Sequence, residues 1–151
     1  MGVSVLRAPG IYASERLPLE RIRRGDPVLR AEDDVYTNHI HADDLARLAV
    51  LALFRGRSCR VYNAVDDTEL QMGEYFDAVA DAFGLARPQR LSRDEIALRL
   101  PAMTLSFMAE SRRIGNRRMY QELRAHLRYP TVSAGLLAAR QSSALQSPLP
   151  T

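Results

Sequence analysis

The stretch Val35-Tyr-Thr-Asn-His-Ile-His41-Ala-Asp43-Asp44-Leu45-Ala-Arg-Leu48-Ala49-Val50-Leu51-Ala52-Leu53-Phe54 decides the fold class. Residues 35–41 mix apolar and polar side chains and run into two aspartates, whose carboxylates suit the free N–H groups and positive end of a starting helix. Leu45, Leu48, Ala49 and Ala52 then follow the 3.6-residue period, and Val50, Leu51 and Leu53 fill the remaining faces. The spacing predicts a helix over 45–54, capped by Asp43 or Asp44 and buried on all sides. A second unit follows. Arg60-Val-Tyr-Asn-Ala-Val65 reads as a strand, and Met72, Tyr75, Phe76, Val79, Ala80 and Phe83 form one helical stripe that ends at Gly84. Two strand-then-helix units, 35–54 and 60–84, predict an α/β architecture.

Outward from this centre, Val3–Leu6 reads as a strand closed by Pro9-Gly10, residues 18–24 as a short helix, and Val28-Leu29 as a short strand. Ser92-Arg-Asp-Glu95 is a capping box opening a helix to about Leu100, Pro101 restarts a helical segment, Asn116 caps a helix through Leu123, and Thr131 caps another to about Ala139. Residues 141–151, rich in Ser, Gln and Pro, are expected to form a mobile tail. The expected division is 1–86 as an α/β part, 87–140 as a helical part, and 141–151 as the tail.

The chain has 151 residues, of which 46% are hydrophobic and 26% charged, a globular composition that excludes a fibrous or disordered protein. No apolar run is long enough to span a bilayer and no signal peptide is evident, so a cytoplasmic location is expected. One cysteine, Cys59, excludes an internal disulfide and is expected to be a buried, inert thiol. All 21 basic residues are Arg, so no chemistry that needs lysine runs on this chain alone. The net charge of +3 is uneven: residues 1–110 carry −3 and residues 111–151 carry +6. A basic nucleic-acid binder therefore rests only on the last segment, which has no reader motif and only two tyrosines, and nucleic acid is disfavoured as a partner.

Five segments resemble the extended short-chain dehydrogenase/reductases of the NAD-dependent epimerase/dehydratase family. Leu6-Arg-Ala-Pro-Gly-Ile-Tyr12 resembles the family's Leu-Arg-x-x-x-x-Tyr, His41-Ala-Asp-Asp44-Leu-Ala its His-Val-x-Asp-Val-Ala, and Tyr62-Asn63 its Tyr-Asn. Ser111-Arg-Arg-Ile-Gly-Asn116 and Leu127-Arg-Tyr-Pro-Thr131 through Gly135-Leu136 resemble its closing pattern. The resemblance covers about residues 3–137 and implies the second half of a Rossmann-like fold with a mostly helical, substrate-side cap. Two family features are missing. No two of the eight glycines stand three apart, so there is no Gly-x-x-Gly-x-x-Gly turn for a pyrophosphate. The Tyr-x-x-x-Lys pair, in which lysine lowers the tyrosine pKa and holds the ribose, is impossible without lysine.

The resemblance implies NAD or NADP as cofactor, with Pro9, Gly10, Ile11 and Tyr12 lining the pocket beside it, and a nucleotide sugar or similar small substrate met by Arg16, Arg23 and Arg24. An arginine fork suits phosphate or carboxylate because it binds two oxygens at once. No catalytic residue is assigned, and binding of cofactor by this chain alone is not expected. Among other candidates, His39-x-His41-x-Asp43-Asp44 approaches a hydrolase metal motif, but helix capping explains it and no metal is expected. Asp33-Asp34 and Asp66-Asp67 read as solvated turn residues, Tyr12, Tyr36 and Tyr62 as packing residues, and Arg112, Arg113, Arg117 and Arg118 as helix-surface charges with phosphate contact as the alternative. The chain is thus expected to be the substrate-binding portion of a truncated or split oxidoreductase, inactive alone, with a separate N-terminal half or a second copy as partner. The rival is a non-catalytic ligand-binding or protein-interaction module built on the same scaffold.

Overall fold

In a computed structural model that describes residues 2–146, Ser4–Arg7 (β1) runs parallel to Arg60–Asn63 (β6), with Ser4 opposite Arg60 and Arg7 opposite Asn63. Pro9 turns the chain directly into Gly10–Tyr12 (β2), which pairs in parallel with His39–His41 (β5). Pro9-Gly10 therefore links two strands, where the sequence suggested only a strand end. Residues 35–41 form two strands, Tyr36–Thr37 (β4) and β5, which pair with different partners and so show no single alternation.

Strands β1, β2, β5 and β6 belong to the first of two compact units, which takes the chain up to Arg16, Asn38–Thr68 and Ile114–Gly135. The second takes Leu17–Thr37, Glu69–Arg113 and the chain from Leu136. The units interleave along the sequence.

In the first unit, Ala42–Arg55 (α2) follows β5, and Arg117–Gln121 (α6) lies against β6. Ile40, Leu48, Tyr62, Met119 and Leu123 form the core, with Leu6 and Leu45 packed on it, each large aliphatic side chain contributing roughly 1.5–3 kcal/mol by leaving water. The α6 region is tied to the sheet by polar contacts as well. The guanidinium of Arg60 forms an ion pair with Glu122, the Tyr62 hydroxyl donates to the same carboxylate at 3.3 Å, and Arg118 donates to the Val61 carbonyl at 3.2 Å.

Two expectations about α2 fail. Its N-cap is His41, in extended conformation, whose Nδ1 accepts the Asp43 N–H at 3.2 Å; neither aspartate caps the helix. Nor is the helix buried all round. Leu48 is 1% exposed, but Leu53 and Phe54 are 82% and 83% exposed, because no element among the described residues lies over that side. Cys59, expected to be buried, is exposed and holds a positive φ of 58° in the turn that leads into β6.

The second unit begins with Leu19–Arg23 (α1) and pairs Val28–Leu29 (β3) in parallel with Arg90–Leu91 (β8), while β4 pairs antiparallel with Leu70–Gln71 (β7). Two-residue strands carry no readable period, so β7 and β8 have no sequence signal. Met72–Ala82 (α3) buries the expected Tyr75, Phe76, Val79 and Ala80, and Gly84, at φ 64°, ends it where a side chain would be strained. The Ser92–Glu95 capping box is formed, opening Arg93–Ala97 (α4), which stops three residues before the expected end. Ala102–Phe107 (α5) follows, and Leu29, Leu91, Ile96 and Met108 make this unit's core. The last helix, Val132–Gln146 (α7), continues past Ala139 through six residues of the expected tail. Residues 147–151 of that tail lie outside the described residues.

The one-sided burial of α2 makes a direct test. Leu48→Ala should cost about 2–5 kcal/mol in urea denaturation, and Leu53→Ala should stay within about 0.5 kcal/mol of the parent.

Candidate functional site

Open parallel sheets place ligands beyond the C-terminal ends of their strands, where loops diverge. Beyond β2, β5 and β6 in the first unit stand Tyr12, His41 to Asp44, and Ala64 to Asp67. The buried polar residues His39, His41, Asp44 and Asp66 all belong to this unit, on β5 and in the segments after β5 and β6.

Asp44 sits at the first turn of α2 with its side chain turned inward. Its two carboxylate oxygens accept the N–H groups of Arg128 and Tyr129 at 2.7 and 2.8 Å, and the residue is fully buried. The Tyr129 ring lies 4.0 Å from that of His41, and Tyr12 meets His41 edge-on at 5.2 Å. The Tyr12 hydroxyl donates to the Thr131 carbonyl at 3.3 Å. Gly135 follows in α7, and a Cβ there would collide with the Tyr12 ring and hydroxyl, so only glycine permits this approach. The segment Leu127–Gly135 is thereby locked to the ends of β2 and β5.

A second cluster follows β6. The Asp66 N–H donates to the His39 carbonyl at 2.7 Å and its Oδ1 accepts the Thr68 N–H at 2.9 Å, but Oδ2 is buried with no hydrogen-bond partner among the described residues. Burial, reinforced by the neighbouring Asp67 and Asp44 carboxylates, pushes the Asp66 carboxyl up to about 7. Asp67 accepts the Tyr120 hydroxyl at 3.0 and 2.9 Å and the Asn116 amide at 2.7 Å. Burial and the Asp67 hydrogen bond push the Tyr120 phenol well above its ordinary value. Burial lowers His39 to about 4. Chemically, this arrangement holds loops: a tyrosine with a raised pKa hydrogen-bonded to a carboxylate is the opposite of a tyrosine activated by a cation.

Several sequence readings change. Asp34 and Asp66 are not solvated turn residues. The Asp34 side chain is fully buried and accepts the N–H groups of Gly73 and Val35, both at 2.8 Å, fixing the start of α3. Asn116 makes no side-chain cap; its amide instead donates to Val65 and Asp67. Arg112 and Arg113 stand outside any helix, Arg112 paired with Glu110 at 2.6 Å and Arg113 with Glu69 at 2.5 Å. No group of three metal-ligating side chains is assembled among the described residues.

Of the expected cofactor residues, Gly10, Ile11 and Tyr12 are strand residues, Pro9 is half-buried, and Tyr12 is buried and hydrogen-bonded. Of the expected substrate arginines, Arg16 ends a 3-10 turn (Ser14–Arg16) in the first unit, whereas Arg23 and Arg24 belong to the second. Arg23 pairs with Glu20 at 2.6 Å and Arg24 with Asp26 at 2.7 Å. The structure thus places the three in different units. Among the described residues, β1 leads through Pro9 into β2 and not into a helix, and α2 and α3 carry Asp43, Asp44 and Glu74 in their first turns, charges that disfavour a pyrophosphate at those two helix starts.

No family model and no curated protein matches the sequence. Solved structures do match. A conserved Silicibacter pomeroyi protein described as functionally unknown is 26% identical, with a TM-score of 0.79 over 93% of this chain and 48% of its own. A human epimerase family protein crystallised with NADPH is 18% identical, with a TM-score of 0.74 over 91% of this chain and 48% of its own. The dTDP-glucose 4,6-dehydratase of Bacillus anthracis, in complex with NAD, is 18% identical, with a TM-score of 0.66 over 95% of this chain and 45% of its own. These neighbours include an epimerase family protein and a dehydratase, and the fold is the partial Rossmann-like α/β fold that the sequence resemblance implied. This chain spans about half their length. Among the described residues no helix is long and apolar enough to cross a membrane.

Asp44→Ala should remove the carboxylate that the Arg128 and Tyr129 N–H groups bond and cost about 1–3 kcal/mol in urea denaturation. Asp66 gives a pH signature. Its folded pKa of about 7 lies above the ordinary carboxylate value of 3.8, so its contribution is full below about pH 4 and is lost as pH rises through 7. Melting temperatures from pH 4 to 8 should therefore fall less steeply for Asp66→Asn than for the parent.

Proposed function

We propose that this chain is the substrate-side part of an NAD(P)-dependent epimerase/dehydratase-type oxidoreductase, and that by itself it neither holds nor turns over a dinucleotide. The observation that carries this reading is the match of over 90% of the chain to about half of NAD(P)-binding epimerase and dehydratase structures, joined to the lack of a phosphate turn and of lysine. When bound, a nicotinamide cofactor supplies hydride transfer. This chain's share is to shape the substrate side: the Asp44 and Asp67 contacts hold the closing segments, and Pro9 to Ile11 present backbone at the end of β1. A nucleotide sugar is the substrate class, since the dehydratase neighbour acts on dTDP-glucose. Arg16 is the best placed phosphate ligand of the three arginines, because Arg23 and Arg24 already face carboxylates that a phosphate would have to displace.

The rival, a binding module that uses the scaffold without chemistry, draws on the same missing groups. Calorimetric titration with NAD(H) and NADP(H) tests the proposal. The isolated chain should show no binding at micromolar concentrations, and micromolar affinity would show that it holds a dinucleotide site of its own.

A further inference from the structure

Among the described residues β1 is paired along one edge only, and beside its other edge one side of α2 is uncovered. The carbonyls of Val3 and Arg7 accept the N–H groups of Cys59 and Ala64, on the side where β6 runs. Strand alternation aims the N–H and C=O of Ser4 and Leu6 at the opposite edge, where no strand of the described residues pairs. Beside that edge a groove of about 690 Å³ lies between β1 and α2, lined by Val3, Leu6, Ala49, Ala52, Leu53 and Gly56 among others, none of them ionisable. Val5, on the other face of β1, is 45% exposed, and Val50 and Phe54 extend the apolar surface along α2. Such a patch is uncommon on a solitary protein.

We infer that this face docks a polypeptide that adds a parallel strand to β1 and lays an apolar helix in the neighbouring groove: the complementary α/β half of an epimerase-type fold. This inference rests on the functional reading above and names its partner. Three features select that occupant. The groove has no charge for a phosphate or nucleic acid to meet. Its lining includes the small residues Gly2, Ala49, Ala52 and Gly56, which admit a helix at close range. Both sheet pairings in the first unit are parallel, and the solved neighbours contain a further half of chain beyond what this one matches. A second copy related by a two-fold axis normal to the sheet would instead bring β1 to β1 antiparallel.

The test co-expresses this chain with the part of the Silicibacter pomeroyi protein that it does not match, alongside that protein's own two parts as a control. A 1:1 complex is expected. Leu53→Arg should weaken it at least tenfold, and Leu98→Arg, an exposed residue of the other unit, should leave it unchanged. Amide exchange should be fast at Ser4 and Leu6 in the free chain and slow in the complex, while Val5, bonded towards β6, is protected in both. Failure to form the complex when the control parts associate, unprotected Ser4 and Leu6 amides in the complex, or a homodimer that protects them would each overturn the inference. Titrating NADPH into the complex reads the functional proposal separately: a complex that protects β1 but binds no dinucleotide removes that proposal and leaves the docking assignment standing.

Discussion

The buried carboxylate of Asp44 is the contact on which the first unit is built. It stands at the start of α2, directly after β5, yet it satisfies two backbone N–H groups more than eighty residues later, at Arg128 and Tyr129. A buried carboxylate without hydrogen-bond donors would be costly, and these two backbone N–H groups supply them. Because the Leu127–Thr131 segment is anchored there, Tyr129 packs on His41, Thr131 meets Tyr12, and Gly135 enters α7 against the Tyr12 ring. His41 takes over the cap that Asp44 leaves vacant.

A parallel logic operates after β6, where Asp67 gathers Tyr120 and Asn116 while Asp66 remains half-satisfied. The two clusters place three carboxylates in one polar region with no arginine ion pair to Asp44, Asp66 or Asp67 among the described residues, and burial, with the Asp67 and Asp44 carboxylates adding to it, raises the pKa of Asp66. Stability there depends on backbone and hydroxyl donors. The same donors hold the loops in place.

Periodicity carried the helices well. The stripe of α3 and the capping box of α4 are local features, set by residues three or four apart, and they appear as read. The two-residue strands β7 and β8 could not be read, since alternation needs more length than they possess and neither has the apolar pair that marked Val28-Leu29. The candidate site was legible only as motif fragments. His41 to Asp44 and Leu127 to Gly135 stood out separately, but nothing local reveals that one carboxylate joins them.

By itself, the sequence determined the α/β class, β1 and β6 as strands, the long helices, and the lack of lysine, because residue types and short-range periods decide those things. Tertiary structure alone decided which carboxylates are buried, which residue caps α2, and which side of that helix faces solvent. The physical reason is the same in each case. An aspartate before a helix can serve its own N–H groups or distant ones, and Leu48 and Leu53 are equally apolar; only the neighbours brought by the fold determine which donor a carboxylate meets and which leucine is covered.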